Sequence, residues 1–141
     1  MGTCFVIQPF DQGIFDKRYE DVYRPGIEAA GLEAYRVDQD PTVSIPIDDV
    51  EERIRGAAAV LADITTDNPN VWFELGYAVA CHREVVLVCS KERPTPFPFD
   101  VQHRSIIRYG TDSASDFAEL AQRITERLRA IRAKQEAEEA A

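Results

Sequence analysis

The amino-acid sequence predicts a single α/β domain in which helices cover both faces of a five-stranded parallel sheet. Three observations carry that expectation. Short β-branched or apolar runs alternate five times with stretches of helical periodicity, the chain order of a parallel sheet. Two of those runs, Ala57 to Asp63 and Glu84 to Cys89, are almost continuous in apolar residues, as strands covered on both faces must be. The 141 residues, 45% of them hydrophobic, suffice for one core, with no internal repeat and no second domain.

Each element follows from its residues. Thr3 to Ile7, β-branched and aromatic, is the first strand, broken by Gln8-Pro9-Phe10-Asp11-Gln12-Gly13. From Phe15 to Ala30, the residues Tyr19, Val22, Tyr23, Ile27 and Ala30 fall on one helical stripe. Pro25 is expected to disturb that helix, because proline lacks an amide donor and crowds the turn before it, and Gly31 closes it. Leu32 to Val37 is the second strand, followed by a polar loop, Asp38 to Pro46, with two prolines. Ile47 to Gly56 is an amphipathic helix whose acidic start (Asp48, Asp49, Glu51, Glu52) suits the positive end of the helix dipole. Ala57 to Asp63 is the third strand. After a turn over Thr65 to Asn70, a helix carries Trp72 and ends near His82. Glu84 to Cys89 is the fourth strand, and Pro94, Pro96 and Pro98 make Lys91 to Asp100 a loop. Arg104 to Tyr109 is a shorter fifth strand. Phe117, Leu120, Ile124, Leu128 and Ile131 mark a long final helix. Beyond Ala133 the apolar pattern is lost, so residues 1–132 form the domain and 133–141 a frayed tail or linker. The whole is a flavodoxin-like three-layer sandwich with a five-stranded parallel sheet.

Composition narrows the function classes. A formal net charge of −9 gives no general attraction for phosphate backbones, so nucleic acid is not an expected partner. No apolar run is long enough to cross a bilayer, and the N-terminus lacks the features of a signal peptide. Cys4, Cys81 and Cys89, an odd number in apolar surroundings, read as reduced thiols of a cytoplasmic protein. His82 and His103 match no zinc spacing, so no metal is expected. Neither a Ser-His-Asp order nor a glycine-rich dinucleotide or phosphate loop is present. Phosphoryl transfer, hydride transfer and metal-dependent hydrolysis therefore lose ground.

The chemistry concentrates in Asn68 to Ala78, where one carboxylate, Glu74, stands among aromatic and small residues early in a helix that should otherwise be core. With Asn68 as the cap, Pro69 takes the first helical position and Glu74 the second turn; with Asn70 as the cap, Glu74 ends the first turn. Tyr77 and Ala78 share its face in both cases. Glu74 is either a carboxylate facing a pocket at the carboxyl edge of the sheet or an exposed helical acid. The helix N-terminus favours its ionised form and apolar neighbours such as Trp72 disfavour it. Trp72 is either a stacking platform for a base or nicotinamide ring or a core anchor, and Phe73 is read as core. The first strand's exit, with Phe10 and Asp11, lies at the same edge, where backbone donors can approach a phosphate; the alternative is a tight turn with a packed phenylalanine. At the second exit, Asp38 or Asp40 suits ribose hydroxyls or a solvated loop. Asp63 is read as an acceptor for turn amides. An embedded carboxylate near ribose-binding acids points to cleavage of a glycosidic bond, which passes through an oxocarbenium-like state.

Four stretches resemble bacterial TIR-like domains, within a wider group that includes the nucleoside 2-deoxyribosyltransferases. They are Cys4-Phe5-Val6-Ile7-Gln8-Pro9-Phe10, Arg24 to Leu32, Ala62-Asp63-Ile64-Thr65 and the Asn68 to Ala78 block. The resemblance spans about residues 4 to 130. It implies an enzyme that splits an N-glycosidic bond: an NAD glycohydrolase using NAD as substrate rather than cofactor, with Glu74 at the essential glutamate position. It further implies self-association into a dimer or filament, a site completed by the loop after the second strand, and an effector role in anti-phage defence. Activation there comes through a fused or separate cyclic-nucleotide sensor. The transferase relatives carry a glycine-rich acidic segment before their glutamate; this chain has Asn68-Pro69-Asn70, which favours the TIR-like reading. The alternatives are a nucleoside or nucleotide N-glycosidase or 2-deoxyribosyltransferase, and a non-catalytic self-associating module.

Overall fold

Alternating apolar runs and amphipathic stretches resolve, in a computed structural model, into one parallel sheet between two helical layers. Residues 2–39, 46–97, 101 and 104–141 are described, Gln39 and Pro46 by backbone alone. The strands are β1 (Thr3–Ile7), β2 (Glu33–Tyr35), β3 (Ala59–Asp63), β4 (Val85–Ser90) and β5 (Ile106–Tyr109). They pair in the order β2-β1-β3-β4-β5, every pair parallel. This is the flavodoxin-like order, in which ligands bind outside the carboxyl ends of the strands where the order reverses, between β1 and β3.

The helices are α1 (Ile14–Arg18), α2 (Arg24–Ala29), α3 (Pro46–Gly56), α4 (Pro69–Ala80) and α5 (Ala114–Ala140). Pro25 has the disturbing effect expected of it. The chain passes from α1 to α2 through a π-helical turn, Tyr19–Tyr23, which widens the backbone just before the residue that offers no amide donor. Gly31, at φ +83°, ends the stretch in the left-handed region that glycine enters without penalty. The last turns of α5 differ from expectation. The helix continues to Ala140, because Gln135 Nε2 donates to Ala58 O at 2.8 Å and Lys134 pairs with Glu84 at 2.9 Å.

Strand alternation divides the core. Cys4, Val6, Leu61 and Val88 face α2, α5 and the π turn, with Tyr23, Ile27, Leu120 and Ile124. Phe5, Ile7, Val60, Ala62 and Leu87 face α3 and α4, with Ile54, Val71 and Leu75. All five β3 residues are buried, as its apolar run requires.

Asp63 ends β3 with only 1% of its surface exposed. A carboxylate there is tolerable only if its oxygens are bonded. Oδ1 accepts from the Thr65 amide at 2.9 Å, the turn bond read from sequence. Oδ2 accepts from the hydroxyls of Tyr23 and, at 2.6 Å, Tyr109. Burial first, and then the Asp63 charge, push both phenols well above the ordinary tyrosine range, so both donate as neutral hydroxyls. Arg18 Nη1 donates to the Tyr109 hydroxyl at 2.8 Å. One carboxylate thus joins the π turn, β3, β5 and the entry to α4. Asp63→Ala strands two buried hydroxyls and an amide and is expected to cost about 3–5 kcal/mol in urea unfolding, against about 1–2 kcal/mol for Tyr23→Phe. A midpoint unchanged by Asp63→Ala would disprove this role.

Candidate active site

The entry to α4 is built by its own sequence. Asn68 Oδ1 accepts from the amides of Asn70 (2.9 Å) and Val71 (3.3 Å), and Pro69 takes the first helical position. Asn68 is therefore the cap, and Glu74 lies in the second turn. Arg93, its side chain 2% exposed, holds this entry from the β4–β5 side. Its guanidinium donates to the carbonyls of Ile64, Thr65, Thr95 and Pro96 and to Asp67 Oδ1.

Glu74 lies at a cavity of about 280 Å³ at the carboxyl edge, between β1 and the α3–α4 pair. Gln8, Pro9 and Phe10 from the β1 exit form one wall, and Val37, Ile47 and Val50 a second. Asn68, Asn70, Phe73 and Glu74 form the third. Phe10, Ile47 and Phe73 are three of the four large apolar side chains exposed among the described residues, so the mouth is apolar. Among those residues, no hydrogen bond or ion pair reaches the Glu74 carboxylate, and burial alone pushes it up from 4.5 to about 7. Burial prevails over the helix N-terminus because the dipole's effect fades beyond the first turn.

The other predicted residues are distributed differently. Phe10 lines the cavity, and its ring packs on the Arg36 guanidinium, 4.7 Å from its centroid. Trp72 is not in the lining. It turns to the far flank of α4, edge-on to Phe97 and 5.8 Å from Arg93, and Phe73, read as core, takes the place beside Glu74 with 52% of its surface exposed. Position 73, one residue along the helix, points about 100° away from 72, and only packing decides which of the two meets the core. Asp11 accepts from the amides of Gly13, Phe15 and Asp16. Burial pushes its carboxyl up, but those three amides outweigh burial and hold it below the ordinary range. Asp11 thus caps the turn into α1 with three amides that follow the β1 exit. Asp38 gives both oxygens to Arg36, at 2.9 and 2.6 Å. Asp40 lies outside the described residues. The Tyr77 hydroxyl accepts from Arg55, tying α3 to α4 rather than entering the cavity lining.

Arg36 escapes sequence reasoning. It is 2% exposed, packed between Phe10 and Tyr19 and paired with Asp16 and Asp38. Its one signal is position: a cation inside the Leu32 to Val37 run. Among the described residues, no group of three His, Cys, Asp or Glu side chains could hold a metal ion, and no helix is long and apolar enough to cross a membrane.

No family model matches the chain, and no curated protein matches it in sequence. Solved structures do. The TIR domain of the Toll-related receptor TRR-2 from Hydra magnipapillata superposes with a TM-score of 0.64 at 14% identity, covering 94% of this chain and 99% of that one. The CMP N-glycosidase BcmB of Clostridium botulinum gives 0.59 at 16% identity, over 83% and 94%. A 2-deoxyribosyltransferase of Bacillus psychrosaccharolyticus gives 0.54 at 16% identity, over 84% and 95%. At such identities the likeness establishes the fold alone.

A carboxyl raised from 4.5 to about 7 in the folded state favours folding in its neutral form. Its contribution is therefore complete below about pH 4.5 and is lost as pH rises through 7. Glu74→Gln abolishes that loss. Each tenfold change in proton affinity is worth roughly 1.4 kcal/mol. The variant is therefore expected to match the native protein at pH 4.5 and to exceed it at pH 8 by up to about 2–3 kcal/mol. Equal urea midpoints at pH 8 would mean that the carboxylate is solvated.

Proposed function

We propose that this chain hydrolyses an N-glycosidic bond, with NAD as substrate and Glu74 as the catalytic carboxylate, in the manner of TIR NAD glycohydrolases. The observation that carries the proposal is a carboxylate with no protein partner among the described residues, held in a cavity with an apolar mouth at the carboxyl edge of the sheet. Structural acids of this fold are bonded, as Asp63 and Asp11 are. An acid kept desolvated and unpaired is one set aside for a reacting charge.

The chemistry follows from that setting. As the bond from ribose C1′ to the nicotinamide nitrogen breaks, its electron pair leaves with the ring, which turns from a pyridinium into neutral nicotinamide. Positive charge moves onto C1′ and the ring oxygen of the sugar. The ionised Glu74 stabilises that charge, and water then adds to C1′ and releases a proton. Nicotinamide needs no acid to leave. Phe10 and Phe73 supply the ring-binding walls. Exposed Phe10, Ile47 and Phe73 around the mouth favour a site completed on self-association. The anti-phage effector role and a cyclic-nucleotide sensor belong to the same proposal and rest on the sequence resemblance.

A second reading has its own support. A nucleotide N-glycosidase must protonate a neutral base as it leaves, and a carboxyl titrating at about 7 can hold that proton. The pH profile separates the two. An ionised Glu74 makes NAD turnover rise with pH and level off above about 7; a protonated Glu74 makes turnover of CMP or a nucleoside fall over the same interval. Glu74→Gln is expected to lower NAD cleavage by about 10²–10³-fold while the circular dichroism spectrum is retained. NAD consumption by concentrated protein that is the same in this variant would overturn the assignment.

A further inference from the structure

We infer that Gln8 reads the base in the Glu74 cavity: its side-chain oxygen accepts a hydrogen bond from an amino or carboxamide N–H carried by a planar heterocycle. The inference rests on the N-glycosidase reading and adds to it the class of base.

Gln8 follows β1 at the cavity wall, with only 3% of its surface exposed. Its Nε2 donates to Phe15 O at 2.9 Å, so the orientation of the amide is set by the first turn of α1. Oε1 is buried and has no hydrogen-bond partner among the described residues. A buried acceptor in that state opposes folding unless something outside the chain supplies the donor. Several other polar groups buried at this end of the sheet are bonded within the chain: Asp63 by two tyrosines, Ser90 N by Thr65, Arg93 by four carbonyls. Arg36 Nη1 also has no partner among the described residues, but Arg36 is not in the cavity lining. Gln8 combines an anchored amide, a free acceptor and a place in the cavity wall.

The rest of the wall specifies the body of the ligand. Phe10 and Phe73 present exposed aromatic faces, and among the described residues the lining contains no lysine or arginine, so the space suits a flat, uncharged or delocalised ring. A ring bearing an exocyclic amino or carboxamide N–H completes the bonding of Oε1. A carboxylate or carbonyl in the same place sets two acceptors against each other, a mismatch that a built polar site rejects strongly. Nicotinamide, cytosine and adenine belong to the accepted class; nicotinate, uracil and hypoxanthine are their rejected counterparts.

Equilibrium binding of the free bases tests this without any turnover. Wild-type protein is expected to bind at least one of nicotinamide, cytosine and adenine about tenfold more tightly than its counterpart, and the arm that binds identifies the base. The Gln8 side-chain ¹⁵N resonance is expected to shift on saturation with that base. Gln8→Met, which keeps the volume and removes the acceptor, is expected to bring the paired affinities within about twofold. Equal binding of a base and its counterpart by the wild type overturns the inference. So does a Gln8 resonance that is unmoved at saturation, or a failure of all three amino or carboxamide bases to bind at millimolar concentration. The two proposals fail separately. Gln8-dependent discrimination in a protein that cleaves neither NAD nor nucleotides removes only the catalytic assignment. Equal Glu74-dependent cleavage of NAD and its nicotinic-acid analogue removes only the role of Gln8.

Discussion

The carboxyl end of the central strand depends on the bonding of one buried acid. Asp63 sits where β3, β5, the π turn before α2 and the turn into α4 converge, and all its described donors come from those elements. A buried carboxyl has to have its oxygens bonded, so the donors have little freedom in where they stand. Thr65 is fixed by its amide bond to Asp63 and by accepting from Ser90 N at 2.9 Å. Two residues further on, Asp67 is held by Arg93, and the Asn68 cap follows directly. The position and direction of α4 are thus settled before its own core contacts are counted.

That constraint explains how an acid can remain unpaired at Glu74. Leaving a carboxylate desolvated opposes folding at neutral pH, and the domain sustains it because α4 is tied to its neighbours on either side of Glu74. The cap and Arg93 secure the start of α4, and Val71, Leu75 and Ala78 bury its inner face. The Arg55–Tyr77 contact ties it to α3. Polar groups around the cavity divide into two kinds. Asp11, Asp38 and Arg36 are engaged with the loops and turns beside them and give those segments their shape. The Glu74 carboxylate, Gln8 Oε1 and Arg36 Nη1 have no partner among the described residues.

The elements legible in the sequence are those written in runs. Continuous apolar stretches mark β3 and β4, the helical stripe before Gly31 marks α1 and α2 with their interruption at Pro25, and Asn68-Pro69 marks the start of α4. Glu74 is legible because an acid inside an otherwise apolar helical block conflicts with its surroundings, and such conflicts gather at functional sites. The partners of these residues are not legible. Nothing local distinguishes Trp72 from Phe73, Asp38 from a solvated loop acid, or Asp11 from a phosphate-site neighbour, because each outcome depends on a residue far along the chain or on a neighbouring turn. Trp72 is committed by Arg93 and Phe97, Asp38 by Arg36, and Asp63 by Tyr23 and Tyr109. The end of α5 obeys the same rule. Its last turns are held by Ala58 and Glu84, which no periodicity in residues 133–141 reveals.

The sequence by itself determined the order of strands and helices and the parallel sheet, since periodicity and breaker residues act over a few neighbours. Tertiary structure alone decided which polar groups at the carboxyl edge of the sheet are bonded and which are left open. Hydrogen-bond satisfaction is a property of the assembled neighbourhood: the same aspartate, glutamine or arginine is structural or functional according to what the folded chain places within about 3 Å of it.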